Sequence, residues 1–103
     1  MTQNSDPHTR RIEKLLAKRY GELHPRAKIK VYRYNPVSIR IRIIDPDFEG
    51  KTISERDKEV WSILRSLPES VRLDISVLLL ITPREQARSM MSHEFEDPLP
   101  SGF

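Results

Sequence analysis

The stretch from Asp45 to Leu67, DPDFEGKTISERDKEVWSILRSL, constrains this chain more than any other. Thr52 and Glu55 have the S/T-x-x-E spacing that lets each side chain satisfy an amide left open at a helix N-terminus, so a helix starts near Ile53. Asp45-Pro46-Asp47 before it is turn chemistry, and Gly50 serves a tight turn. Ile53, Val60, Trp61, Ile63, Leu64 and Leu67 then recur at helical spacing and form one apolar stripe. An amphipathic helix placed after a strand has to pack on a sheet.

The flanking segments supply that sheet. Asp6-Pro7 reads as an N-cap followed by proline at the first helical position. Ile12, Leu15, Leu16, Tyr20 and Leu23 share one face of the helix it opens, which stops between Gly21 and Pro25. Ala27–Tyr34 and Val37–Ile44 alternate with period two around Asn35-Pro36, the pattern of an antiparallel hairpin. Its greasy side carries Ala27, Ile29, Val31, Val37, Ile39, Ile41 and Ile43. The other side carries Lys28, Lys30, Tyr32, Tyr34, Arg40 and Arg42. Pro68 breaks the long helix and allows one further helical turn. Arg72–Thr82 is a third strand, with Leu73, Ile75, Val77, Leu79 and Ile81 expected inside and Leu78 and Leu80 outside. Thr82-Pro83-Arg84-Glu85 repeats the capping box and opens a last helix toward Met91 that buries Ala87 and Met90 or Met91.

The expectation is therefore an α+β domain in the order α-β-β-α-(α)-β-α, with helices on one face of a mixed three-stranded sheet. Residues 1–8 are expected to be a flexible N-terminus, residues 9–91 the single domain, and residues 92–103 an acidic disordered tail. One domain is what 103 residues support.

Between His24 and Ile44 lie six basic residues, Arg26, Lys28, Lys30, Arg33, Arg40 and Arg42, and no acid. Cations interleaved with tyrosines on one sheet face suit phosphates and stacked bases, but a polar outer sheet face needs no ligand to exist. Leu78 and Leu80, placed beside Tyr32 and Tyr34, suggest a partner or dimer surface, giving a monomer or weak dimer. Gly50-Lys51 before a helix N-terminus is a weak phosphate motif, because the further glycines of a P-loop are missing. Asp45, Asp47 and Glu49 lack an EF-hand spacing and read as turn formers. No cysteine is present, which removes thiol catalysis, thiolate metal sites and disulfides. No nucleophile–histidine or paired-carboxylate arrangement can be argued, so no catalytic residue, metal or cofactor is expected. The absence of a long apolar run points to a soluble, cytoplasmic protein.

Phe48-Glu49-Gly50-Lys51 with Thr52-Ile53, Glu55-Arg56 and Val60 resembles the F-x-G-K segment and following helix of BolA-like proteins, and Leu78–Glu85 is similar to that family's last strand and final helix start. The resemblance covers Thr9 to about Gln86. It implies a type II KH-like fold, no enzymatic activity, partnership with monothiol glutaredoxins through a shared [2Fe-2S] cluster and, in some members, DNA binding. Where the family carries an Arg-His pair whose histidine is the cluster ligand, this chain has Arg56-Asp57. Where the family's strand-one to strand-two loop supplies His or Cys, this chain has Tyr34-Asn35-Pro36. A carboxylate suits an iron-sulfur centre poorly, so cluster sharing is not expected. The function expected is a non-enzymatic interaction or regulatory module with a protein partner. The alternative is an RNA- or DNA-binding domain using Lys28, Lys30, Tyr32, Tyr34, Arg40 and Arg42, with Gly50, Lys51 and Arg56 as further contacts.

Overall fold

The computed structural model describes residues 6–88. Helix α1 (Pro7–Leu16) continues through a π turn at Ala17–Gly21. Strands β1 (Lys28–Asn35) and β2 (Ser38–Ile44) follow, then a 3-10 turn at Pro46–Phe48, helix α2 (Ile53–Leu64), short α3 (Glu69–Arg72), β3 (Ile75–Ile81) and α4 (Pro83–Gln86). Strand order is β1-β2-β3, with β1 antiparallel and β3 parallel to β2. This is the mixed α+β arrangement expected from the alternation and the helical crossover.

Three of the four helix starts, those of α1, α2 and α4, are set by side-chain caps. Thr52 with Glu55 and Thr82 with Glu85 form the two expected capping boxes, and Asp6 forms a third with Thr9. Helix α1 thus begins at Pro7 with Asp6 as its N-cap, the entry expected from the Asp6-Pro7 pair. Arg33 reinforces that start by donating to Asp6 at 2.6 Å and to Asp74 at 3.1 Å, tying α1, β1 and the approach to β3 together. Gly50 has φ of 83°, the left-handed conformation its turn requires.

Ile39, Ile41 and Ile43 are fully buried beneath the helical layer, with Ile12, Leu16, Tyr20, Val60 and Leu64 above them. Each such side chain contributes roughly 1.5–3 kcal/mol when removed from water. Some apolar positions depart from the expected stripes. Leu23, Ile53 and Leu73 are each 74% exposed, and Val37 lies exposed in the hairpin turn. Ala87 is exposed rather than core, while Met90, Met91 and the 92–103 tail lie outside the described residues.

The largest correction concerns β3. Ile39 pairs with Ile75 but Arg40 pairs with Val77, so Ser76 is an extra residue and a bulge. A one-residue slip reverses every later side chain. Leu78 and Leu80 therefore lie on the helix side, opposite Ile41 and Ile43, and Val77, Leu79 and Ile81 lie on the outer side with Arg40, Arg42 and Ile44.

Candidate functional site: the cleft beside β3 and the outer sheet face

The cleft between α2, β3 and α4 has a volume of about 180 Å³ and is lined by Ile53, Asp57, Leu78, Leu79, Leu80 and Ile81, with Arg56 and Glu85 at its end. Leu78 and Leu80, expected on the open face, are thus exchanged for positions at the edge of the helix-covered side. Arg56, expected as a nucleic-acid or partner contact, is only 5% exposed. Its Nη1 donates to the Leu80 carbonyl at 3.0 Å and to Glu85 Oε1 at 2.7 Å, and its Nε donates to the Lys51 carbonyl at 3.1 Å. The guanidinium also lies 5.4 Å from the Phe48 ring centre. Arg56 therefore fastens α2 to β3 and α4, and its charge is spent inside the fold. The Glu85 carboxyl is held below the usual carboxylate range first by the Arg56 hydrogen bond and then by the Thr82 amide. Gly50 and Lys51 sit at the N-terminal end of α2, apart from the sheet face, and Lys51 Nζ donates to Glu59 at 3.1 Å rather than standing ready for a phosphate.

The outer face does bring together the other expected residues. Tyr32, Arg40 and Val77 form one row, Lys30, Arg42 and Leu79 the next, and Lys28, Ile44 and Ile81 the third. Arg40 stacks on Tyr34, its guanidinium carbon 3.5 Å from the ring centre, and donates to the Tyr32 hydroxyl at 3.2 Å. Lys30 lies 5.9 Å over the Tyr32 ring. This face is drier than the alternation suggests: Tyr32 and Arg42 are each only 6% exposed, and Ile44 3%.

A third cluster was not foreseen. His24, just beyond the π turn, stacks on Tyr20 with ring centres 4.2 Å apart. Its Nδ1 lies 2.9 Å from Asp47 and its Nε2 2.9 Å from Glu59, while the Tyr20 hydroxyl donates to fully buried Asp45 at 2.6 Å. Carboxylates only accept, so both ring nitrogens must carry protons and His24 is an imidazolium. Burial opposes that charge, but the hydrogen bonds to Asp47 and Glu59 and the fields of Glu59 and Asp45 outweigh it and raise the His24 pKa. Burial and then Asp45 push the Tyr20 phenol well above its ordinary range. Asp45 also accepts from the Asp47 amide at 2.9 Å, which confirms the turn-forming role read from Asp45-Pro46-Asp47.

No protein-family model and no curated protein matches the chain. Among solved structures it is similar to BolA1 from Arabidopsis thaliana, with a TM-score of 0.53 and 18% identity, covering 79% of this chain and 98% of that one. This is a BolA-like fold. The BolA domain of SufE1 from Arabidopsis thaliana matches similarly, with a TM-score of 0.51, 16% identity, and coverage of 79% and 98%. Asp57, which stands where the sequence resemblance expects a histidine, lines the cleft. The side chains around it offer carboxylates, a guanidinium and aliphatic groups, and the described histidines are committed elsewhere, His24 to Asp47 and Glu59 and His8 to Asp74. That donor set does not fit an iron-sulfur cluster. Among the described residues no helix is long and apolar enough to cross a membrane.

Proposed function

We propose that the chain is a small non-enzymatic interaction module whose partner surface is the cleft between α2, β3 and α4. The observation that carries this reading is the cleft's composition: an aliphatic floor from β3, Ile53 standing 74% exposed at its rim, and Asp57 beside it. Large aliphatic side chains left in water next to a concave apolar surface are how a partner site is built. The fitting partner is a protein that inserts an apolar side chain flanked by a base able to meet Asp57. Recognition then runs through side-chain contact and needs no shared cluster. A regulatory role follows from this reading, because a module without chemistry of its own acts by occupying another protein. His24 does not supply a general base, since both of its nitrogens are already bonded to carboxylates.

The outer sheet face supports a nucleic-acid reading less well. Base stacking needs an accessible aromatic ring. Here Tyr32 is buried and Arg40 already covers Tyr34. The test is affinity capture from the native host followed by titration of the purified partner against the wild-type chain and Ile53→Glu and Asp57→Lys. Both positions lie on the rim of α2, so the fold tolerates them. A loss of tenfold or more, about 1.4 kcal/mol, is expected for each variant. Affinity unchanged in both would remove the cleft as the partner surface.

A further inference from the structure

Among the described residues, His24, Asp45 and Asp47 bring three metal-ligating atoms within 4.8 Å of one another. The sequence sets Asp45 and Asp47 beside Glu49, and the fold sets His24 beside them instead, carried in by the chain that leaves the π turn. That exchange changes the chemistry. Three carboxylates suit a hard ion such as calcium, whereas one imidazole with two carboxylates suits zinc and its neighbours. His24 Nδ1 lies 2.9 Å from Asp47 Oδ2 and 3.5 Å from Asp45 Oδ2. A tetrahedral ion with bonds of about 2.0–2.2 Å holds its ligands roughly 3.4 Å apart, so the two separations already bracket the spacing required.

The groups behind these three ligands come from outside the triad and are those a metal centre needs. A metal-bound imidazole gives its other N–H to a carboxylate, which fixes the ring and the coordinating nitrogen. His24 Nε2 lies 2.9 Å from Glu59 on α2. Asp47 meets Arg26 through Oδ1 at 2.7 Å and turns Oδ2 toward the histidine. Tyr20 donates to Asp45 at 2.6 Å and orients that fully buried carboxylate. The His24 side chain is 13% exposed and that of Asp47 34%, so the site opens to water on the side of Asp47. We propose that His24 Nδ1, Asp45 Oδ2 and Asp47 Oδ2 form a binding site for a divalent ion of the zinc class, completed by water on that side. The ion takes the place of the Nδ1 proton, so binding releases one proton and the imidazolium is the metal-free form. The site shares no residue with the lining of the α2–β3–α4 cleft. A bound ion fastens the end of α1 to the turn before α2.

The test uses the full chain with cobalt(II), whose visible absorption reports a tetrahedral site, and then zinc(II) in calorimetry. Saturable uptake of one ion per chain is expected, with one proton released and a melting temperature that rises with zinc concentration. His24→Gln and Asp47→Ala should each abolish the cobalt band. Asp47 is partly exposed, so its variant keeps the fold, which circular dichroism checks, and the test stands even if His24→Gln unfolds. Glu59→Gln keeps all three ligands and should weaken binding by about 10–100-fold. His8→Gln changes a histidine bonded elsewhere, to Asp74, and should bind as the wild type does. No saturable uptake by the wild type, uptake that survives Asp47→Ala, or uptake that disappears with His8 would overturn the proposal.

Discussion

Replacing His24 with glutamine tests the buried imidazolium most directly, because its effect must depend on pH in a defined direction. His24 donates to Asp47 and Glu59 at 2.9 Å each, with its own side chain 13% exposed and those of its partners 34% and 33%. A hydrogen bond to a charged group contributes about 1.5–3 kcal/mol when shielded, and exposed ion pairs contribute about 0–1 kcal/mol. The partly shielded contact to Glu59 should therefore stabilise the fold by about 1 kcal/mol, with the exposed Asp47 contact adding in the same direction. The folded pKa of His24 is raised above the unfolded value, so its contribution is full below roughly pH 6.5 and disappears as pH climbs through the folded pKa. Asp47 and Glu59 are shifted the other way. The His24 and Arg26 hydrogen bonds lower Asp47, and for Glu59 burial is outweighed by His24 and Lys51. Their contribution is full above roughly pH 4.5 and is lost as pH falls through the depressed values. Urea unfolding of wild type and His24→Gln, followed by circular dichroism, should show the largest gap between about pH 5 and 6.5 and a gap shrinking toward pH 9. A gap that stays constant with pH, or widens on the alkaline side, would refute the imidazolium assignment.

Two substitutions probe the rest of the frame. Arg56→Lys keeps the charge but cannot reach the Lys51 and Leu80 carbonyls and Glu85 together, and should cost about 2 kcal/mol in urea unfolding with an unchanged denaturant slope. Gly50→Ala meets nothing within 4 Å, so its cost is the left-handed backbone alone, about 1 kcal/mol, readable as a lowered melting temperature.

Much of this architecture is legible in the residues because it is written in short-range chemistry. The Thr52–Glu55 and Thr82–Glu85 boxes act over three residues, and the hairpin declares itself by clean alternation from Val37 to Ile44. Strand β3 is legible as a strand but not in phase. From Val77 to Ile81 every residue is apolar, so both parities fit a core, and only the bulge at Ser76 decides which is used. Arg56 looks like an ordinary surface base on an amphipathic helix, and nothing within the helix announces a carbonyl waiting on Leu80. The His24 cluster is hidden for a similar reason. Its members come from a helix end, a turn and a second helix, and no periodicity links positions 24, 45, 47 and 59. A polar residue just past a helix stop, with acids in the turn after the hairpin, was the one available hint.

The Leu80 carbonyl has one further consequence. The Asp45 amide donates to the neighbouring Ile81 carbonyl at 2.9 Å, so that carbonyl turns inward to β2 and the Leu80 carbonyl turns away from the sheet. An outward carbonyl on a border strand this aliphatic would invite another molecule to extend the ladder, and copies so joined could stack without limit. The Arg56 guanidinium already occupies that acceptor, and the kink at Ser76 spoils the straight run a newcomer would need. The same arginine that holds two helices to the strand thus leaves one acceptor fewer for a foreign strand to pair with.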